Sequence, residues 1–155
     1  MRLWGRLSFA IPTLRSSCPI ELLQDKPRRG RGYGEVSMKS SLIATLVDAA
    51  PELKPLLSEH IQNNDDLLPH VFFGDLTRFV QTEVERENFG PVKRILDVLE
   101  DAAKSTDPAV RDLLGASFLE NIELDSRGWQ EMLRLAGPAM KVVLARERQR
   151  RQNSN

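Results

Sequence analysis

The chain has 155 residues, 41% of them hydrophobic and 28% charged, with a formal net charge of zero. That length fits one domain, and the composition is that of an ordinary water-soluble one. No apolar run approaches the roughly 18 residues needed to span a membrane, and a single cysteine, Cys18, permits no disulfide within one chain, as expected in the reducing cytoplasm. The neutral total hides a split. Residues 1–37 carry seven Lys/Arg against three Asp/Glu, whereas residues 38–155 carry 15 against 19. An acidic folded part repels phosphate backbones, which argues against nucleic acid as a partner of the whole domain.

Residues 1–37 are read as a basic, disordered leader. Arg28-Arg29-Gly30-Arg31-Gly32-Tyr33-Gly34 lacks the apolar surface needed to order itself. Met1–Ser17, with three arginines, three serines and no acid, has the composition of a mitochondrial presequence, although Pro12 interrupts its apolar stretch. A different reading fits better. Gly34-Glu35-Val36-Ser37-Met38 can be encoded by a string that contains GGAGGT, a bacterial ribosome-binding sequence, shortly before an ATG. Translation is therefore expected to start at Met38, leaving a helical domain at 38–145 and a basic, frayed or disordered tail at 146–155.

From Met38 onward the pattern is helical. Ser40 or Ser41 is placed to cap a helix through Leu42, Ile43, Leu46 and Val47, which share one face and end before Pro51. A second helix begins at Pro51 and buries Leu53, Leu56, Leu57 and Ile61. Asn63-Asn64-Asp65-Asp66 is the loop after it. Asp66 is the expected cap of a third helix, with Pro69 in its first turn and Phe72, Phe73, Leu76, Phe79, Val80 and Val84 forming a broad apolar face. Glu83, Glu85, Arg86 and Glu87 read as its solvated end. A fourth helix starts at Pro91 with core positions Val92, Ile95, Leu96, Val98 and Leu99. Thr106 or Asp107 is the expected cap of a fifth, with Pro108 just inside it, running through Val110, Leu113, Leu114, Ser117 and Phe118. Trp129, Met132 and Leu133 mark a sixth, and Met140, Val142, Val143 and Leu144 end the apolar signal. No stretch alternates with period two. The fold class is all-α, a compact bundle of six or seven short helices. The helix–Asp-Pro–helix unit at 91–122 looks like one pair of a HEAT-type repeat, but a solenoid needs about three such units.

Three segments carry a resemblance: Leu67-Leu68-Pro69-His70-Val71-Phe72-Phe73-Gly74-Asp75-Leu76-Thr77-Arg78, Ile95-Leu96-Asp97-Val98-Leu99-Glu100, and Ser117-Phe118-Leu119-Glu120-Asn121-Ile122. They resemble a family of small bacterial all-helical domains of unknown function, over most of residues 40–140. The resemblance implies a helical fold and a bacterial origin. It brings no activity and no catalytic residues. Genes of this kind look similar to stand-alone immunity-like proteins beside toxin systems.

The candidate polar cluster is His70, Asp75, Arg78, Glu120 and Asn121. His60 and His70 with Asp65, Asp66 or Asp75 match no zinc spacing, and the domain has no cysteine, so no metal and no cofactor is expected. Residues five apart on a helix point about 140° away from each other, which separates His70 from Asp75. Asp75 and Arg78, three apart, can pair. A Ser117–His70–Asp75 triad can be written, but it lacks a nucleophile elbow and an oxyanion loop. The favoured function is a non-catalytic protein-interaction module, immunity-like or antitoxin-like, whose acidic surface at Glu83–Glu87 and Glu100-Asp101 meets a basic partner protein. The alternatives are an enzyme with a pocket near His70, Asp75 and Arg78, and a structural homo-oligomer.

Overall fold

The computed structural model describes residues 33–154, with side chains from residue 39 onward. Seven α-helices account for most of this span: α1 (Tyr33–Ala49), α2 (Lys54–Asn64), α3 (Pro69–Glu85), α4 (Phe89–Ala103), α5 (Pro108–Asp112), α6 (Arg127–Leu135) and α7 (Pro138–Gln152). A short 3-10 turn, Pro51–Leu53, leads into α2, and α5 runs on without a break into a π-helical segment, Leu113–Leu119. There is no strand among the described residues, so the all-α expectation holds. Most of the expected leader, residues 1–32, lies outside the described residues. The backbone of α1 is helical from Tyr33, so Ser40 and Ser41 lie inside the helix and do not cap it.

Proline does much of the punctuation. Pro51, Pro69, Pro108 and Pro138 each sit in the first turn of their helix, where a missing N–H is not needed. Asp107 caps α5 as expected, its carboxylate accepting from the Ala109 N–H at 2.9 Å. Ser126 does the same for α6 through the Trp129 N–H. Asp66 does not cap α3: its carboxylate is taken up by the adjacent Leu67 N–H, and the cap position falls to Leu68.

The core joins all seven helices. Ile43, Leu46 and Val47 of α1 are fully buried, as are Leu57 of α2, Phe72, Phe73 and Leu76 of α3, and Val92, Ile95 and Leu99 of α4. Phe73 meets Phe72 and Phe118 edge-on, with ring centroids 6.5 Å apart in both pairs. Phe79, expected in the core, is only half-buried at its edge. The hub is shared, because α4 packs against α1, α3, α5, α6 and α7. The pair at 91–122 forms, but its neighbours on every side close it into a bundle instead of a one-dimensional stack.

Charged side chains seal the helix ends. Glu100 of α4 accepts from the Ala139 and Met140 N–H groups at 2.9 and 2.8 Å, capping α7 from another helix. At the other end of α7, Glu147 is buried and pairs with Arg150 and Arg151 at 2.7 Å. Arg151 also donates to the carbonyls of Leu119 and Ile122, closing the end of the π-segment. Of the tail expected to be frayed, residues 146–152 are therefore helical: Glu147 pairs with Arg150 and Arg151, and the open carbonyls of Leu119 and Ile122 bind Arg151. Glu83, expected in solvent, is likewise buried and accepts from Asn88 and Arg86.

Candidate functional site

The polar residues singled out from the sequence gather around the first half of α3, though not as one cluster. Pro69 fixes the entry to that helix, which places His70 on the side facing the π-segment and Asp75 on the side facing α2. The roughly 140° between them sends each to a different neighbour.

On the α2 side, His60 is buried and both ring nitrogens are engaged. Its Nε2 accepts from the Leu68 N–H at 3.1 Å, so in the neutral ring Nδ1 carries the proton and donates to Asp75 Oδ2 at 3.3 Å. The ring also meets Phe72 edge-on. Asp75 Oδ1 accepts from Arg78 Nη1 at 2.8 Å, which holds a guanidinium that is 77% exposed. His60 thus pins the α2–α3 connection. Sequence reading considered it only as a metal ligand, because nothing nearby in the chain marks Leu68 as its partner.

On the opposite side, His70 Nδ1 lies 2.7 Å from Ser117 Oγ, and its Nε2 lies 3.4 Å from Lys39 Nζ. An ammonium only donates, so Nε2 is the acceptor and the Nδ1–H donates to Ser117. That polarity is the reverse of a base removing a serine proton. Asp75, the third member of the conceivable triad, is bonded to His60 instead. Asn121 donates to the Ser117 carbonyl at 3.0 Å, and its amide packs over Gly74, where an added Cβ would sit 3.8 Å away. Thr77, fully buried, donates to the Phe118 carbonyl at 2.7 Å. Glu120 does not join this cluster; its charge acts on Arg150 of α7.

Among the described residues, no three His, Cys, Asp or Glu side chains lie close enough to hold a metal ion. No described helix is long and apolar enough to cross a membrane.

A family model described as "Domain of unknown function (DUF7674)" matches residues 43–152. The chain belongs to this family. Neither a curated protein nor a solved structure matches it. The DUF7674 match starts at Ile43, the first fully buried residue of the core, and ends at Gln152, the last residue of α7. The region matched therefore includes the arginine-rich end of α7 as well as the apolar helices.

Proposed function

We propose that this DUF7674 domain is a non-catalytic protein-interaction module that docks a partner protein on the outer face of α3's first turns. The observation that carries this reading is a pair of exposed apolar side chains, Leu68 and Val71, 42% and 47% exposed, with the exposed Arg78 guanidinium about two turns further along the same face of α3 as Val71. Large apolar groups left in water near an aimed charge suit a protein contact. The matching partner surface offers an apolar contact for Leu68 and Val71 and a carboxylate for Arg78.

The acidic surface expected to do this work is largely matched from within. Glu83 is buried, Glu87 pairs with Arg127, Glu100 caps α7 and Asp101 pairs with Lys104. The His70–Ser117 pair has the wrong proton order for a nucleophile, which favours binding over catalysis.

Affinity purification from the source cell, comparing the wild-type chain with Val71→Asp, tests the proposal. Val71 lies in the first turn of α3 and is half exposed, so an acid there is compatible with folding. The expected result is a protein retained by wild type and lost by Val71→Asp at an unchanged melting temperature. Equal capture of every co-purifying protein by the variant overturns the docking face.

A further inference from the structure

A second surface has a different chemistry. A cleft of about 470 Å³ opens between the end of α4, α5 with its π-segment, and α7. That volume lies in the range of small-molecule sites, about 300–1,000 Å³. Its charged lining is four cations, Lys104, Arg111, Arg146 and Arg150, against one carboxylate, Glu147. This inverts the balance of a domain whose residues 38–155 carry more acids than bases.

The cations are not equivalent. Lys104 pairs with Asp101, Arg111 donates to the Thr106 carbonyl, and Arg150 spends two donors on Glu147. Arg146 has no partner among the described residues, so its planar fork of donors is free. Val143, partly buried, gives the cleft an apolar wall, with the fully buried Leu114 behind it. The space beside Gly115 is open: a Cβ there would meet nothing within 4 Å. Unspent guanidinium donors beside an aliphatic wall fit an anionic head carried on an apolar stem.

We propose that this cleft is a binding site for a small amphiphilic oxyanion, a carboxylate or phosphate on an aliphatic stem, with Arg146 as the headgroup ligand and Gly115 and Val143 receiving the stem. The site is separate from the α3 docking face, so each proposal can fail without the other.

The experiment is an NMR titration of the isotope-labelled full chain with octanoate, octyl phosphate, octylamine and inorganic phosphate. Octanoate, octyl phosphate or both are expected to shift the amides of Gly115 and Val143, and the tighter of the two identifies the headgroup. Arg146→Glu is expected to weaken that binding at least tenfold and Gly115→Leu to block it, both at an unchanged melting temperature. Binding of octylamine or inorganic phosphate as tight as that of the octyl anions overturns the proposal. So do retention of binding in Arg146→Glu and the absence of shifts localised to the cleft.

Discussion

Gly137 and Glu100 are 37 positions apart in sequence and in contact in the fold, and that contact makes an unusual prediction. Gly137 has φ −75° and ψ 178°, a conformation open to any residue. Gly137 is also the N-cap of α7, where alanine is less favoured than glycine, and this offsets the gain of about 0.4–1 kcal/mol that alanine makes by restricting the unfolded chain. The Cβ of that alanine would, however, lie 2.5 Å from the Glu100 carboxyl carbon. The carboxylate must swing away and give up the Ala139 and Met140 N–H groups. Losing a cap of this kind, together with its charge at a helix N-terminus, costs about 1–2 kcal/mol. Gly137→Ala is therefore expected to destabilise by about 1 kcal/mol in the wild-type background. In a Glu100→Ala background the clash and the cap are both already gone. The same substitution is then expected to be nearly neutral, a coupling of about 1 kcal/mol. Urea denaturation of the four proteins measures it. An equal cost of Gly137→Ala in both backgrounds would refute the contact.

Phe72→Ala is expected to cost about 3–5 kcal/mol, because that ring is fully buried, and Phe79→Ala less, because that ring is only partly buried; urea midpoints would show the order, and similar losses would contradict the facing of α3. The Glu147 carboxyl is held below its ordinary value of 4.5, chiefly by the hydrogen bond from Arg150 and further by Arg151. A depressed folded pKa stabilises fully above the unfolded value, and that contribution is lost as pH falls through the folded one. Glu147→Gln should then cost stability at pH 7 and progressively less below about pH 4.5, whereas a constant difference across that range would remove Glu147 from the linkage. Arg151→Ala is expected to destabilise by about 1.5–3 kcal/mol, since it leaves two helix-end carbonyls and the buried Glu147 short of a charged donor. A melting temperature within a degree of wild type would mean that solvent replaces it fully.

The apolar framework was legible because periodicity is local. Ile43, Leu46 and Val47, or Val92, Ile95 and Leu99, repeat at helical spacing within one window, and the prolines and Asp107 mark where each window ends. The polar architecture was not legible, because its partners are distant. Glu100 meets Ala139 and Met140, 39 and 40 positions on, and Arg151 reaches back 29 positions to Ile122. A charged residue beside an apolar stripe reads as solvated unless its distant partner is known. Glu100 reads as solvated for this reason, whereas Glu83 and Glu147 find their partners within five positions, and what the local pattern hides is the tertiary packing that buries them. His60 was misread in the same way: its role depends on the Leu68 N–H and Asp75, brought near only when α2 packs on α3.

The same polar contacts explain where the unit ends. Apolar burial alone would stop the domain near Leu144, the last fully buried aliphatic residue. The π-segment nevertheless ends with its Leu119 carbonyl and the nearby Ile122 carbonyl directed at α7, where buried backbone acceptors need donors. Arg151 supplies them, and it is held in place by Glu147, one turn earlier on the same helix. Glu147 is in turn stable as a buried carboxylate only with Arg150 and Arg151 beside it. None of these groups is satisfied until all are present, so the run from Leu144 to Arg151 closes the fold as one piece. The DUF7674 match, which reaches Gln152, takes in the whole of this segment. Arg150 and Arg151, which as a sequence read as part of a tail, answer to two carbonyls and one carboxylate that need cationic donors.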